Sequence, residues 1–435
     1  MNATVHAAAP LQGSLTVPPD KAICHRAVLA AAVANGITAI HPWPRADDCR
    51  RTRELIERLG VAVHESPDGI RIDGLGRDGL QAPRDELDCG ESGTTFRLSA
   101  GLLAGQPFVS RLVAGPSLSR RPMRRIVEPL TQMGARFDGV EDSRSPAGSS
   151  ELYPPLTVHG TRPLRAVRYE LPVASAQVKS ALLFAGLFAD GATTVVERWP
   201  TRDHTERILR AYGARIRCTA SAISIVPGPL TTPGCLALPG DLSSAAFFLV
   251  AASCVQGSRV RLEGVSLNPT RVGVLDILQR MGARVTVTRT EEDWEPRGTI
   301  VVEASSLRAT SLEASEVPGL IDELPILMVA AACAEGTTRL AGIGELRVKE
   351  TDRLQSMVSG LRQLGARVSL SAPDTVEVTG GRLTGSTVES AGDHRTAMSL
   401  VVAGLVAHGT TTVRGVECVA KSFPEFFERL SALRR

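Results

Sequence analysis

The sequence has few aromatic residues and almost no excess of charge. Its 435 residues include 10 Phe, 3 Trp and 3 Tyr, and its formal net charge is +3. Proteins that bind single-stranded nucleic acid stack bases on aromatic side chains and surround the backbone with basic ones. Because the aromatic residues are not interleaved with basic clusters, we expect no nucleic-acid partner. The basic residues must therefore be explained by local sites.

Long apolar runs and paired cysteines are also absent. Gly, Lys or Asp interrupts every Ala/Leu/Val-rich stretch before it reaches the roughly 18 residues of a membrane-spanning helix. The N-terminus does not have the pattern of a signal peptide. The eight cysteines show no CxxC or Cys/His spacing, which favours reduced thiols over disulfides or a zinc site. We expect a cytoplasmic protein with no membrane partner.

A repeated pattern runs through the chain, which is long enough for two globular domains. An Ala/Leu/Val-rich helix ends at a glycine and turns into a short Thr/Val strand, a pattern typical of a glycine C-cap. The six glycines of this pattern are Gly36, Gly105, Gly191, Gly257, Gly336 and Gly409. An amphipathic helix that ends in a glycine before a β-run alternates with it, at Gly60, Gly134, Gly213, Gly282 and Gly365. The period of about seventy residues predicts a repeated α/β module, three copies to a domain.

Two Pro-bearing segments, at residues 15–21 and 236–244, do not follow the repeat. They are the predicted crossings between domains. The prediction is one domain over residues 18–237, inserted into a second that comprises residues 1–17 and 238–435. A polar stretch at residues 141–152 predicts a surface loop without chemistry.

One segment concentrates charge at the predicted start of a helix. The stretch RVKETDR at residues 347–353 precedes apolar positions with a 3.6-residue period, Leu354, Met357, Val358, Leu361 and Leu364. Lys349 and Arg353 are four residues apart, so we expect them on one helical face with Glu350 beside them. Such a group near helix amides suits an anionic ligand. Taken alone, the segment also fits a solvated helix start with local ion pairs.

Further cations occur where a turn meets an Ala-rich segment. PPDKAICHR places Lys21 and Arg26 there. CGESGTTFR contains a glycine turn whose amides and Arg97 could hold a phosphate, although a tight turn with a helix cap is the structural alternative. Other motifs carry hydroxyl, amide and guanidinium groups suited to a polyol phosphate. They are SLSRRPMRR with Arg120 and Arg121, ASAQVKS with Ser175, Gln177 and Lys179, and TRDHTER with Thr201, Arg202, Asp203 and His204.

The second half of the chain adds carboxylates beside cations. LIDELP places Asp322 and Glu323 at the head of an apolar helix, where unpaired carboxylates would be costly. GDHRTAM contributes Arg395, and AKSFPEFF contributes Lys421. With RVKETDR and SAQVKSALL, these motifs resemble the enolpyruvyl transferases, and the resemblance covers essentially the whole chain. It implies an α/β fold of two similar domains, each of three βαβαββ units with buried helices, an inside-out α/β barrel. It also implies a monomer with its active-site cleft between the domains.

Within that family the chain looks most like members that act on shikimate 3-phosphate. The implied reaction transfers the enolpyruvyl group of phosphoenolpyruvate to the 5-hydroxyl of shikimate 3-phosphate and releases phosphate, a step towards chorismate and aromatic amino acids. The implied catalytic residues are Lys21, Asp322 and Glu350, with the step of each carboxylate left open. No cofactor or metal is implied. The implied phosphoenolpyruvate-binding residues are Lys21, Gly93, Arg121, Gln177, Lys349, Arg353, Arg395 and Lys421. The implied shikimate 3-phosphate-binding residues are Lys21, Ala22, Arg26, Ser175, Ala176, Gln177, Thr201, Arg202, Asp322 and Lys349.

Three positions depart from the family pattern. Ala22 stands where Ser is common, and Glu91 and Glu345 each stand where Asn is usual. An ionised Glu91 would repel an anionic ligand, so we expect it to pair with a basic side chain, while its amide still serves the ligand. The departures leave open a paralogue with another hydroxyl acceptor, or a non-catalytic anion-binding paralogue. A sister enzyme acting on a UDP-linked amino sugar is disfavoured, because its loop cysteine is missing from GPSLSRRPMRR.

Overall fold

The computed structural model describes residues 1–142, 151–291 and 293–434, and the chain divides into two compact units. We call Pro19–Leu238 the inserted unit, and Met1–Pro18 together with Pro239–Arg435 the terminal unit. The helices and strands alternate in both, which confirms the predicted mixed α/β class. None of the helices in the described ranges is long and apolar enough to span a membrane.

The elements are numbered in chain order. The first two strands are β1 (Asn2–His6) and β2 (Gln12–Thr16). The inserted unit contains α1 (Lys21–Ala32), β3 (Ala34–His41), α2 (Asp47–Arg58), β4 (Ala62–Ser66), β5 (Gly69–Leu75), β6 (Leu87–Asp88), α3 (Gly93–Ala104), β7 (Val109–Val113), α4 (Arg124–Gln132), β8 (Arg136–Asp142), β9 (Glu151–His159), β10 (Arg168–Glu170), α5 (Ala176–Gly186), β11 (Thr193–Val196), α6 (His204–Ala211), β12 (Arg215–Cys218), β13 (Ala222–Val226), β14 (Leu230–Thr231) and β15 (Cys235–Ala237).

The remaining elements belong to the terminal unit. They are α7 (Leu242–Cys254), β16 (Arg259–Ser266), α8 (Gly273–Arg280), β17 (Arg284–Glu291), β18 (Arg297–Glu303), β19 (Ser311–Leu312), α9 (Leu324–Cys333), β20 (Thr337–Leu340), α10 (Arg353–Gln363), β21 (Arg367–Ala372), β22 (Thr375–Thr379), β23 (Thr387–Glu389), α11 (His394–Val406), β24 (Thr410–Arg414) and α12 (Phe426–Ala432).

Three small sheets form the inserted unit, and they share one strand order. The orders are β14-β3-β5-β4, with β15 also on β3, then β6-β7-β9-β8 and β10-β11-β13-β12. In each sheet the first pair is parallel and the other two pairs are antiparallel. In the second and third sheets an apolar helix connects the parallel strands, α3 between β6 and β7 and α5 between β10 and β11, because parallel neighbours need a crossover connection. In the first sheet the apolar helix α1 directly precedes β3. The same supersecondary module therefore occurs three times here.

The terminal unit repeats this arrangement, with both N-terminal strands completing its sheets. Its orders are β2-β16-β18-β17, β19-β20-β22-β21 and β23-β24-β1. Strand β2 pairs in parallel with β16, whereas β1 pairs antiparallel with β24. Residues 1–18 therefore belong to this unit although more than two hundred residues separate them from its remainder.

Apart from the short C-terminal α12, the helices are of two kinds. Helices α1, α3, α5, α7, α9 and α11 are buried on nearly all sides; in α9, for example, every residue from Leu324 to Ala332 is buried. Helices α2, α4, α6, α8 and α10 expose a polar face. A helix that is apolar all round must lie inside a core. The polar groups at its N-terminal end therefore need partners from neighbouring elements.

Two predictions need correction here. All five glycines that follow the amphipathic helices have positive φ. Of the six predicted to end the apolar helices, Gly36 lies inside β3, Gly191 is not in the left-handed region, and Gly105 has φ −89°. Close packing explains that glycine, because a Cβ on Gly105 would lie 2.5 Å from the Phe188 ring. The loop predicted over residues 141–152 lies mostly outside the described residues, and its ends are not loop, because Asp142 and Glu151 pair across β8 and β9.

Candidate active site

The N-terminal ends of α1, α3 and α5 are linked in the inserted unit. His25 Nδ1 in α1 lies 2.6 Å from Thr52 Oγ1 in α2, which lies 2.7 Å from Thr95 Oγ1 in α3. Arg26 Nη2 donates to Ser180 Oγ in α5 over 2.9 Å. Each helix start carries a partial positive charge and amides without intrahelical partners. Their convergence makes this end of the unit suitable for anions.

Lys21 and Arg26 extend from the first turns of α1. The Lys21 ammonium is 2.7 Å from Asp48 Oδ2, with both side chains less than one-fifth exposed. Arg26 is buried and donates to Thr205 Oγ1 at 2.7 Å and to the Ala22 carbonyl at 2.7 Å. Asp48 and Thr205 were not predicted. Their contacts link residues far apart in sequence, which no local motif reveals.

Gln177 connects α5 to the start of α3. Its Oε1 accepts from Arg97 Nη1 at 2.6 Å, and its Nε2 donates to Thr94 Oγ1 at 3.0 Å. Gly93 begins α3, and a Cβ there would lie 2.8 Å from Arg121 Nη1. The structure thus brings together the predicted residues Gly93, Arg121 and Gln177 around the first turn of one helix.

Glu91 does not have the partner predicted for it. Its carboxylate accepts from the backbone amides of Ser117 at 3.2 Å and Leu118 at 2.8 Å. The expected pairing with a basic side chain is therefore wrong. The amides that begin the short 3₁₀ helix Leu118–Arg120 need an acceptor, and a carboxylate satisfies two of them at once.

A buried lysine supports the loop that carries Thr201. The Lys179 ammonium lies 2.8 Å from Glu206 Oε1 and 3.2 Å from Glu197 Oε1. Glu197 Oε2 accepts from the Thr201 hydroxyl at 2.8 Å. Burial raises the pKa of Glu206, although Lys179 opposes the shift. The side chain of Ser175 caps α5 by accepting from the amide of Val178, and Ala176 is the first residue of that helix.

Asp322 is the centre of the predicted cluster in the terminal unit. Three cations approach its carboxylate: Lys349 at 3.6 Å, Arg353 at 3.5 Å and Arg395 at 3.9 Å. Arg395 also donates to the Asp322 carbonyl at 3.0 Å. Glu323, at the start of α9, lies 3.8 Å from Arg395 and accepts from Ser243. The carboxylates at this helix start are therefore partnered.

Arg353 binds three carboxylates and is only 1% exposed. Its Nε donates to Asp393 Oδ2 at 2.8 Å, and its Nη2 donates to Glu350. Burial alone would lower the pKa of Arg353, but Asp393, Glu350 and Asp322 together raise it. Asp393 also caps α11 by accepting from the amides of Arg395 and Thr396.

The helix over RVKETDR begins later than predicted. Residues Gly344–Val348 form a 3₁₀ helix, and α10 starts at Arg353 with the Asp352 side chain as its N-cap. Lys349 lies outside the helix, so it does not share a helical face with Arg353; the two meet through Asp322 instead. The apolar stripe from Leu354 to Leu364 is confirmed as buried. Burial lowers the pKa of Lys349, and Arg353 adds to this against the opposing carboxylates of Asp322, Glu350 and Glu345.

A further ionic group escaped the sequence prediction. Asp241 caps α7, and Arg271, only 2% exposed, lies 3.5 Å from Asp241 and 3.7 Å from Glu323. The Arg395 charge helps Arg271 to lower the pKa of Asp241 against the effect of burial. The segment PGDLSS contains a signal, an Asp before an apolar helix, but its proline favours interpretation as a domain crossing.

Other predicted residues lie at the margins of these clusters. Lys421 donates to the Gly392 carbonyl at 3.3 Å, next to Asp393. Arg202 and Glu345 are half-buried, and Arg120 is exposed. Among the described residues, no group of three or more His, Cys, Asp or Glu side chains could hold a metal ion.

Comparison with known proteins places this fold among the enolpyruvyl transferases. The chain superposes on the enolpyruvyl transferase NikO from Streptomyces tendae with a TM-score of 0.78 over 99% of this chain and 96% of that one, at 20% identity, a likeness of fold. EPSP synthase from Acinetobacter baumannii gives a TM-score of 0.85 at 40% identity, covering 100% of this chain and 98% of that one.

Sequence relatives narrow the family further. The chain is 46% identical over 422 residues to the 3-phosphoshikimate 1-carboxyvinyltransferase of Geobacter sulfurreducens, covering 97% of this chain and 96% of that protein. It is 44% identical over 426 residues to that of Shouchella clausii, covering 98% and 97%. The family model described as EPSP synthase (3-phosphoshikimate 1-carboxyvinyltransferase) matches residues 5–430. The chain belongs to the EPSP synthase family.

Proposed function

We propose that the chain transfers the enolpyruvyl group of phosphoenolpyruvate to the 5-hydroxyl of shikimate 3-phosphate and releases phosphate. The observation that carries this proposal is the cluster around Asp322. Two carboxylates, Asp322 and Glu350, share the buried Arg353, and Lys349 and Arg395 approach Asp322 from other elements. The cluster combines groups that can move protons with cations that can hold an anion.

The looser ion pairs in this cluster identify the cations we assign to phosphoenolpyruvate. Lys349 and Arg395 lie 3.6 and 3.9 Å from Asp322, whereas Arg353 is 2.8 Å from Asp393. A phosphate or carboxylate oxygen could replace Asp322 as the partner of both cations without leaving either charge unpaired, and Asp322 would keep its contact with Arg353. We therefore propose direct contacts from Lys349 and Arg395, with Lys421 beside them. The contact predicted for Arg353 stays a prediction.

The inserted unit supplies the remaining binding groups in this proposal. Both substrates carry a phosphate and a carboxylate, so the site must offer cations and amide donors together. We assign Arg121, Gly93 and Gln177 to phosphoenolpyruvate, as the α3 start places them side by side. Shikimate 3-phosphate is assigned to Ala22, Arg26, Ser175, Ala176, Gln177, Thr201, Arg202, Asp322 and Lys349, with Lys21 shared between the substrates.

Three proton transfers are needed in the proposed reaction. The acceptor hydroxyl loses a proton as its oxygen attacks C2 of phosphoenolpyruvate, and the methylene carbon C3 gains one. Phosphate then leaves, C3 gives up a proton and the enol ether forms. We assign these transfers to Asp322, Glu350 and Lys21. Arg353 fixes the distance between the two carboxylates, because it binds both.

The three modules of each unit, with their buried helices, support the finer assignment of an inside-out α/β barrel. We propose further that the chain acts as a monomer and needs no cofactor.

Phosphate release tests this function. The purified chain is given both substrates, each substrate alone, and phosphoenolpyruvate with unphosphorylated shikimate. We expect release only with the complete pair, and loss of at least about a hundredfold in kcat for Glu350→Gln. Release without shikimate 3-phosphate, or no release with the pair, would overturn the proposal in favour of another acceptor or a non-catalytic paralogue. Lys349→Gln should instead raise the KM for phosphoenolpyruvate.

A further inference from the structure

Glu91 uses both carboxylate oxygens to hold a neighbouring loop. Oε1 accepts from the amide of Ser117 at 3.2 Å and Oε2 from that of Leu118 at 2.8 Å. Ser117 is the N-cap position of the 3₁₀ helix Leu118–Arg120, so the carboxylate supplies acceptors for the first amides of that turn. Charge-assisted hydrogen bonds of this kind are about twice as strong as neutral ones.

The backbone fastens the same loop at a second point. The Gly115 amide donates to the Gly90 carbonyl at 2.7 Å, and the Ser119 amide donates to the Gly115 carbonyl at 2.9 Å. A Cβ on Gly115 would lie 2.5 Å from Glu91 Oε1, so the carboxylate fills the space beside this glycine. The loop from Gly115 to Arg120 is therefore held against the turn that precedes α3.

Arg121 follows directly from this anchored helix. Its amide donates at 3.0 Å to the carbonyl of Leu118, the residue whose own amide Glu91 binds. Its Nη1 lies so close to Gly93 that a Cβ there would come within 2.8 Å. One hydrogen bond to the Leu118 amide and the backbone from Leu118 to Arg121 thus connect the carboxylate of Glu91 to the Arg121 guanidinium at the start of α3.

We propose that Glu91 is a positioning residue for phosphoenolpyruvate, which fixes Arg121 beside Gly93 through the amides of Ser117 and Leu118. The proposal rests on the proposed function, since it concerns the substrate assigned to Arg121. It also explains how a carboxylate is accommodated near an anionic substrate. The carboxylate of Glu91 accepts hydrogen bonds from the loop amides, which stabilise its negative charge.

The change Glu91→Gln separates positioning from electrostatic repulsion. The side-chain oxygen of Gln can take the place of only one carboxylate oxygen, so its NH₂ group would face the other loop amide, which is also a donor. Positioning predicts a KM for phosphoenolpyruvate raised about tenfold, as expected for one lost charge-assisted bond, with kcat and the KM for shikimate 3-phosphate nearly unchanged. Repulsion predicts the opposite sign, a lower KM for phosphoenolpyruvate, and that result would overturn the proposal.

A second variant keeps the charge and shortens the reach. Glu91→Asp withdraws the carboxylate by one methylene, so it loses contact with at least one loop amide. We expect it to raise the KM for phosphoenolpyruvate as Glu91→Gln does. A wild-type KM for Glu91→Asp would overturn the proposal, because charge alone would then suffice. Glu128→Gln, the same change at an exposed position of α4, is the control and should leave all constants unchanged.

Hydrogen exchange tests the anchor without any assay of activity. In the full chain, the amides of residues 115–121 should exchange at least about fivefold faster in Glu91→Gln than in the wild type, and at the wild-type rate in Glu128→Gln. Unchanged exchange in Glu91→Gln would overturn the anchor. If the wild type shows no turnover with the natural substrates, the proposed function fails, while the exchange rates still decide whether Glu91 holds the loop.

Discussion

Arg353 and Asp393 form an ion pair of 2.8 Å in which the side chains are 1% and 0% exposed. The two residues are forty positions apart, at the first turns of α10 and α11. Removing Asp393 would leave Arg353 with only Glu350 and the more distant Asp322, and the loss of one member of a buried pair costs far more than the loss of a pair in water. This pair therefore holds together the helix starts on which the Asp322 cluster is built.

Asp393→Asn should destabilise the protein by about 3 kcal/mol, in the range measured when one member of a buried pair is removed. Asn caps helices as well as Asp does, so the loss would report the ion pair and not the cap of α11. The free energy of unfolding in urea measures the effect. The control is Glu389→Gln, whose pair with Arg414 is 3.3 Å long and more than half exposed. It should change stability by less than about 1 kcal/mol, and equal effects would contradict this account.

Gln177→Glu tests the connection between α3 and α5. The new carboxylate would bind Arg97 more tightly, and it would also repel the anionic substrates assigned to this region. The KM for phosphoenolpyruvate should rise by at least about tenfold, while the free energy of unfolding stays within about 0.5 kcal/mol of the wild type. Steady-state kinetics measure the first quantity and urea unfolding the second. Gln132→Glu, an exposed position at the end of α4, should change neither; a KM that falls in Gln177→Glu would argue against the assignment.

Lys349 should set the alkaline limit of activity. Burial, with Arg353, lowers its pKa, and a lysine attracts an anion only while it is protonated. The kcat/KM for phosphoenolpyruvate should therefore fall at a pH below the ordinary lysine pKa of about 10.4. Lys349→Arg keeps the charge at all accessible pH values. It should therefore move the alkaline fall in kcat/KM to higher pH, even if the maximal rate is lower. A pH profile of kcat/KM for both proteins measures the shift. If the alkaline fall occurs at the same pH in both, a group other than Lys349 causes it.

His25 should make the protein less stable in mild acid. It is fully buried, its Nδ1 contacts Thr52, and burial, followed by the charges of Lys21 and Arg26, lowers its pKa well below 6.5. Below about pH 6.5, His25 binds a proton in the unfolded chain but not in the folded chain, so stability falls as the pH drops below that value. The loss attributable to His25 should approach about 1.4 kcal/mol for each pH unit until the folded pKa is reached.

The variant His25→Gln isolates this contribution. Gln can still bond Thr52 but does not titrate. The free energy of unfolding is measured in urea between about pH 7.5 and pH 5. Above about pH 6.5 it should change in parallel for the two proteins, and below about pH 6.5 it should fall less steeply for the variant. Identical slopes for the two proteins in the acid range would show that His25 is protonated in the folded state.

Local patterns predict the elements better than the contacts between them. The apolar stripe of α10 and the position of Asp322 and Glu323 before α9 follow from spacing and composition. The start of α10 could not be predicted in this way, because in the sequence Asp352 is one charged residue among several. In the structure its side chain caps the helix by accepting from the amide of Gln355. Residues such as Asp48 and Arg271 escape prediction because their partners are distant in sequence.

Glu91 shows the same limit at the candidate site. The sequence shows a carboxylate where an amide is usual, and the nearest available explanation is a basic neighbour. The actual acceptor role is set by the amides of Ser117 and Leu118, 26 and 27 residues away, because a loop without its own helix caps needs acceptors from elsewhere. Only the folded chain shows that requirement.

The most direct test of the account is the stoichiometry of products in one sample. The wild-type chain is incubated with phosphoenolpyruvate and shikimate 3-phosphate, and NMR follows the released phosphate and the vinyl protons of the enol ether together. The account predicts that both appear in equal amounts and that Glu350→Gln slows both alike. Phosphate without the enol ether, or neither product from the folded wild-type chain, would contradict it.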